Sequence, residues 1–293
     1  MKIVKVTISV LVDNNAGERN SLAEWGLSLL IEAEYENNTF KRILYDTGAS
    51  SLTISKNIDL YKIDLSTIDA IVLSHGHWDH TGGLIEVLNR SNKKTILYCH
   101  PNALKRKYWK KDGKILEIGI ISVLDIDKLK ELADIQTSSE SIEIFPEIFT
   151  SGEIQRNNPF EIVTGNLAKI KTTTEQGEIK DEIVDDQALF LKLANGKILV
   201  VTGCCHAGII NTLKKSKEIT KSEKIEFIIG GLHLIGASKE RLDYTVSELS
   251  IKQINKVYAG HCTGFEGNFA LKNLYKEKFD VISVGKKIEL TAI

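Results

Sequence analysis

The chain has 293 residues, 42% hydrophobic and 26% charged, with 38 basic against 39 acidic side chains and a formal net charge of −1. That balance suits a soluble globular chain able to bury a sizeable core. It offers no basic field to recruit nucleic acid or an anionic membrane, and no apolar run approaches a membrane span.

Lys2 to Val12 alternates polar and apolar residues, which reads as a first strand rather than the unbroken apolar stretch of a signal peptide. Gly26 to Tyr35 and Phe40 to Tyr45 read as strands joined by an Asn37-Asn38 turn. Ile71 to Leu73 is a buried strand, Leu84 to Asn89 a helix and Thr95 to Cys99 a further strand. Residues 102 to 147 are more charged and are expected to form a helical insertion carrying part of a substrate wall, with Val123 to Ala133 as its amphipathic helix. The lysine-rich stretches Lys105 to Lys114 and Lys214 to Lys224 are mixed with acids and read as solvated faces. Ala188 to Leu193 and Ile198 to Val201 form a hairpin around Asn195-Gly196. Helix Gly208 to Lys215, strand Ile225 to Ile229, helix Lys239 to Ile251, strand Lys256 to Tyr258, helix Phe265 to Tyr275 and strands Val281 to Val284 and Lys287 to Leu290 complete an α/β pattern of sheets flanked by helices.

The most informative stretch is Ser74-His75-Gly76-His77-Trp78-Asp79-His80-Thr81-Gly82-Gly83. Packing does not call for three imidazoles and a carboxylate side by side, because desolvating all four is costly. Imidazole and carboxylate together suit zinc, iron or manganese. In an extended stretch His75 and His77 point the same way and can hold one ion. Asp79 and His80 follow as the chain turns and reach a second ion, and Asp79 can also accept a proton. Paired ions can share a hydroxide, lower its pKa and clamp the oxygens of a displacement. The cluster lies between a strand and a helix, where open α/β folds keep their chemistry.

Six of the seven histidines stand in glycine-bounded strand-end motifs. The seventh, His100, precedes Pro101 and reads as structural or substrate-facing. His206 and His261 close strands and read as metal ligands, whereas His233 reads as a substrate contact, a proton donor or a structural residue. Three of the four cysteines, Cys204, Cys205 and Cys262, adjoin these histidines; Cys99 does not. That placement is poor for a disulfide framework and favours a reducing cytoplasm.

His75-Gly76-His77-Trp78-Asp79-His80 resembles the HxHxDH motif of the metallo-β-lactamase superfamily, and Tyr45-Asp46-Thr47-Gly48 resembles its strand-end Asp-Thr-Gly. Gly152-Glu153-Ile154-Gln155-Arg156, Gly203-Cys204-Cys205-His206-Ala207-Gly208, Gly230-Gly231-Leu232-His233-Leu234 and Gly260-His261-Cys262-Thr263-Gly264 resemble its dihydropterin-ylmethyl-ribofuranosylaminobenzene 5'-phosphate synthase-like subfamily. The resemblance runs along most of the chain. It implies one domain over residues 1–293, a four-layer αββα sandwich, and metals at one edge where strand ends meet.

The resemblance also implies that His261 serves the second ion. Most relatives carry Gly-Asp after the hairpin, with the Asp bridging both metals, where this chain has Gly203-Cys204. A thiolate there can ligate zinc or iron. Most relatives carry a further His before the hairpin, where this chain has Asp185-Asp186. Either Asp186 (or Asp185) completes the first site or His206 does; His206 is preferred, with Cys204 and Asp186 near the site. Asp46 is expected to accept an imidazole N–H of His77 or His75, or to form a plain Asx turn. Arg156 is a candidate grip on a substrate phosphate or carboxylate, against the alternative of a solvated loop arginine.

The leading expectation is therefore a metal-dependent hydrolase in which metal-bound hydroxide attacks a small, phosphate-bearing substrate. His75, His77 and His206 would hold one zinc, and Asp79, His80 and His261 the other. A synthase-type transferase, a di-iron redox protein and a non-catalytic metal-binding protein are the alternatives.

Overall fold

The computed structural model describes residues 1–292 except 112, 121–125, 164–166 and 175–176. In chain order the first half contains β1 (Ile3–Val12), β2 (Ser28–Tyr35), β3 (Phe40–Tyr45), α1 (Ser51–Tyr61), β4 (Ala70–Val72), α2 (Trp78–Thr81), α3 (Leu84–Ser91), β5 (Thr95–Cys99), β6 (Lys107–Lys111), β7 (Lys114–Glu117), α4 (Ile126–Leu132) and β8 (Ala133–Thr137). Then follow β9 (Ile142–Phe145), β10 (Ile148–Thr150), β11 (Ile170–Thr174), β12 (Gly177–Lys180), β13 (Leu189–Lys192), β14 (Ile198–Thr202), α5 (Ile209–Thr220), β15 (Ile225–Gly231), α6 (Lys239–Ser250), β16 (Ile254–Gly260), α7 (Gly264–Tyr275), β17 (Phe279–Val281) and β18 (Lys287–Thr291). No helix among the described residues is long and apolar enough to cross a membrane.

Two seven-stranded sheets form the body, ordered β18-β1-β2-β3-β4-β5-β8 and β17-β16-β15-β14-β13-β10-β9. Successive side chains of a strand point to opposite faces, so a strand covered on both faces reads as a continuous apolar run. β14 shows this: Leu199 and Val201 enter the core between the sheets, while Ile198 and Val200 enter the core beneath the helices of the second sheet. β3 does the same in the first sheet, with Ile43 and Tyr45 facing the inter-sheet core and Leu44 facing α1 and α3. Three cores separate four layers: helices α1, α3 and α4, the two sheets, and helices α5, α6 and α7. This is the expected αββα sandwich.

α1 was not foreseen. Ser50 caps it, its side chain accepting from Thr53 N, and its C-terminus ends in the left-handed Lys62. Among the described residues, the stretch expected to be a helical insertion holds β6, β7, β8 and β9 beside α4. β8 joins the first sheet next to β5 and β9 joins the second next to β10, so these residues extend the two sheets. The hydrophobics of 133–145 alternate with polar residues at the strand period, and sheet edges were available to receive them. Of the expected amphipathic helix, Val123 and Leu124 lie outside the described residues, and Ala133 begins β8. β6 and β7 instead join β11 and β12 in a separate four-stranded antiparallel sheet. The strand expected at Val281 to Val284 is displaced to β17, and the one expected at Lys287 to Leu290 is β18.

Candidate metal centre

β3 and β4 run parallel, as do β14, β15 and β16. The loops leaving the C-terminal ends of both sets meet at one edge of the sandwich. β4 delivers Ser74 to His80, β14 delivers Cys204 and His206, β15 delivers His233, and β16 delivers His261. The donor side chains among these are buried, His233 excepted, and Trp78 is exposed.

Their donor atoms fall into two adjacent groups, and a third, Cys204–His233–Cys262, shares Cys204 with the second. In the first, His75 Nε2 lies 3.0 Å from His77 Nδ1 and 3.2 Å from His206 Nε2. In the second, His80 Nε2, His261 Nε2 and Cys204 Sγ are mutually 3.2 Å apart. Asp79 Oδ2 stands 3.7 Å from His80 Nε2 and 3.5 Å from His261 Nε2. The groups touch: the His75 and His80 rings are 4.3 Å apart. Zinc–nitrogen bonds of ~2.0–2.1 Å in tetrahedral geometry put ligand atoms about 3.3 Å apart, close to the spacing found here. Nitrogen, oxygen and sulfur donors converging at that distance fit a metal ion in each group.

Electrostatics points the same way. Burial, reinforced by the neighbouring imidazoles, drives His75 and His206 well below the usual histidine range. Burial and the Lys107 ammonium bring His77 to about 4. These rings are neutral at pH 7, the form that ligates metals. His80 differs: burial opposes its charge, but Asp79 and Asp46 overcome it and raise the ring to about 9. Burial also opposes the charge on Asp79, but His80 and His261 outweigh it and hold the carboxyl well below its usual value. Carboxylates that favour a proton at His80 would equally favour a divalent cation. Burial pushes the Cys204 thiol well up, so it keeps its proton unless a bound cation displaces it.

The outer contacts correct one expectation. Asp46 does not reach His77 or His75; its Oδ2 accepts from His80 Nδ1 at 2.7 Å. Its carboxylate also accepts from Ser74 N and Ser74 Oγ, both at 2.7 Å. Ser74 Oγ in turn lies 2.9 Å from His75 Nδ1. Asp46 thus sits at φ 59°, held by bonds that fix its direction. His261 is supported by Asn14 Oδ1, 3.0 Å from its Nδ1, and by Asp13 Oδ2, which accepts from its backbone N at 2.9 Å. Trp25 Nε1 donates to Asp79 Oδ2 at 3.1 Å, and its ring lies 5.5 Å from that of His261.

Asp185 and Asp186 do not complete the first donor group. Asp185 Oδ1 accepts from Lys107 Nζ at 2.9 Å and its Oδ2 from Gly76 N at 2.8 Å. Asp186 Oδ2 accepts from Ala207 N at 2.8 Å, and burial raises this carboxyl to about 6. Lys107 also corrects the reading of its stretch as a solvated face. It is 1% exposed, with Asp181 Oδ2 2.6 Å from its Nζ. A lysine-rich composition gives no sign of which ammonium faces inward.

His233 brings its ring to 4.3 Å from that of His206, and its Nδ1 is buried with no hydrogen-bond partner. His100 is buried and pairs with Glu153 at 3.1 Å while capping the turn at Asn102, apart from both donor groups. Arg156 donates to the Ile183 carbonyl at 3.0 Å and is half-buried rather than solvated. Ser74, Trp25, Asp13, Asn14 and Lys107 belong to no spacing motif, so the sequence reading passed over them. A cleft of about 570 Å³ between α5 and α6 includes none of the donors.

The chain belongs to the metallo-β-lactamase superfamily, whose model matches residues 27–153. It is 33% identical, over 98% of both chains, to a 7,8-dihydropterin-6-methyl-4-(beta-D-ribofuranosyl)-aminobenzene-5'-phosphate synthase of Methanocaldococcus jannaschii. A metal-dependent hydrolase of the beta-lactamase superfamily superposes with a TM-score of 0.79 at 25% identity, covering 98% of this chain and 99% of the other. A zinc-bound PqqB from Methylobacterium extorquens shares the fold, with a TM-score of 0.57, 15% identity and coverage of 97% and 100%.

Proposed function

We propose that the protein is a zinc-dependent hydrolase of small, phosphate-bearing molecules. The observation that carries this reading is the pair of touching donor groups, His75–His77–His206 and Asp79–His80–Cys204–His261, each spaced as ligands of one ion. Two bound ions would supply Lewis acidity to a substrate oxygen and lower the pKa of an attacking water. Asp79 would then serve as ligand and proton acceptor, with the indole of Trp25 fixing its carboxylate. His233, beside His206 and partly exposed, is placed to protonate the leaving group. Arg156 is the candidate cation for substrate phosphate. Four free, buried cysteines suit a reducing cytoplasm. The even charge balance leaves a small molecule, rather than nucleic acid or membrane, as the partner.

A synthase reading is supported by the whole-length likeness to the archaeal synthase, whose name contains a 5'-phosphate. Both readings use the same donors. The test is elemental analysis of protein purified without chelator, followed by turnover of bis(p-nitrophenyl) phosphate by wild type and Asp79→Ala. Two zincs with hydrolysis lost in the variant support the hydrolase. Two zincs with no hydrolysis of a panel of phosphoesters and lactones favour the synthase. Two irons with a visible absorption band would overturn the zinc reading.

A further inference from the structure

The five proposed ligand imidazoles differ in how their far sides are held. His75 Nδ1 faces Ser74 Oγ, His80 Nδ1 faces Asp46, and His261 Nδ1 faces Asn14. A ligating imidazole normally needs such a partner on its other nitrogen to fix its orientation. Among the described residues His77 and His206 have none: His77 Nε2 and His206 Nδ1 are buried without a hydrogen-bond partner. Both belong to the first donor group.

What this group has instead is backbone support from adjacent residues of one segment. Asp185 Oδ2 accepts from Gly76 N, the N–H of the His75–Gly76 peptide in the short loop between His75 and His77. Asp186 Oδ2 accepts from Ala207 N, the peptide N–H next to His206. The segment is itself fastened along the His75 loop. Gln187 N donates to the Ser74 carbonyl and Gln187 Nε2 to the Leu73 carbonyl, both at 2.9 Å. Lys107, paired with Asp185 and Asp181, anchors the other side. Gly76 is gripped on its remaining side as well, its carbonyl accepting from Ile120 N at 2.9 Å. A Cβ on Gly76 would lie 2.1 Å from the Ala103 carbonyl oxygen, so only glycine lets the loop settle there.

We infer that Asp185-Asp186 is a backbone clamp. Its two carboxylates hold the His75–Gly76 and His206–Ala207 peptides, and so position the His75–His77 loop and His206 and set the geometry of the first metal group alone. They are positioning residues, not ligands. The inference rests on the metal reading above and deepens it.

The test uses cobalt titration of the full-length protein, wild type and variants, after metal removal. Cobalt bound to Cys204 carries a thiolate charge-transfer band, which labels the second group. The visible ligand-field bands report both groups. Asp185→Ala and Asp186→Ala are each expected to weaken the first ion by about 10–100-fold. Its ligand-field bands should shift, while the thiolate band and its midpoint stay. Asp185→Asn and Asp186→Asn keep an oxygen that accepts the same backbone N–H and are expected to restore affinity to within a few-fold, which also covers an alanine variant that fails to fold. Equal weakening of both ions, affinities and spectra matching wild type, or asparagine variants as impaired as alanine ones would overturn the clamp. A wild type that binds no cobalt would overturn the metal reading and the clamp with it.

Discussion

Asp46 Oδ2 lies 2.7 Å from His80 Nδ1, and both side chains are fully buried. In the neutral ring that a metal ion would bind, the carboxylate keeps the proton on Nδ1 and leaves the Nε2 lone pair directed toward Cys204 and His261. Replacing Asp46 with Ala removes that partner and leaves Ser74 N and Oγ without an acceptor. Metal affinity of the second group is expected to fall about 10–100-fold, measured by competition with a chromophoric chelator. Unchanged affinity would show that the His80 tautomer does not depend on Asp46.

Cys204 Sγ is 3.2 Å from the Nε2 atoms of His80 and His261. In Cys204→Ser the hydroxyl is a harder donor on a shorter bond. The variant is expected to lose the near-ultraviolet thiolate band of the cobalt form and to hold its second ion more weakly, with the first ion retained. A thiolate band that persists would place the sulfur ligand elsewhere, at Cys262 for example.

Stripping metal with a chelator should lower the melting temperature. Ligand at 100 times its dissociation constant stabilises the folded state by about 2.7 kcal/mol. For a chain of this size each kcal/mol moves the midpoint by roughly 2–4 °C, so a loss of about 5–10 °C is expected by scanning calorimetry, reversed on adding zinc.

Lys107→Met tests the buried ion pairs independently of metal. Burial opposes the ammonium's charge, but Asp185 and Asp181 overcome it and raise its pKa. Removing the cation strands two buried carboxylates, which costs about 3–5 kcal/mol. Urea unfolding of the metal-free variant should show that loss as a lower midpoint at an unchanged slope.

Gly203→Ala places a Cβ 2.0 Å from Ser74 Oγ and 2.9 Å from Asp46 Oδ2. The added methyl must push apart the network that orients His75 and His80. Overpacking of this kind costs about 1–3 kcal/mol, and here it should also reduce metal occupancy in a purified sample. A fully loaded variant would mean the loop has room to shift.

Much of the centre was legible because its donors announce themselves chemically. His75, His77, Asp79 and His80 are too polar and too close together for packing, and His206 and His261 each follow a clear apolar strand. The supports were not legible, because their roles depend on three-dimensional neighbours. Asp13-Asn14 reads as an ordinary turn, Trp25 as one aromatic among others, and Lys107 as one of many surface lysines. The strands of 102–147 escaped notice for a related reason. Their charge content resembles a helical surface, and their pairing is settled only by distant partners: β5 for β8, β10 for β9 and β11 for β6. α1 was missed although Ser50 supplies a cap, because its apolar spacing is slight.

The donors of each group come from loops on both sheets. His75 and His206 are 131 residues apart in sequence, and His80 and His261 are 181 apart. Neither half of the chain owns a complete donor group, so a protein cut between the sheets would lose both groups even if every strand survived. An ion held here ties together two long stretches of chain, much as a cross-link does, and it can do so only after the sheets have docked. Metal loading would then follow docking of the sheets, and metal content would report on correctly assembled molecules.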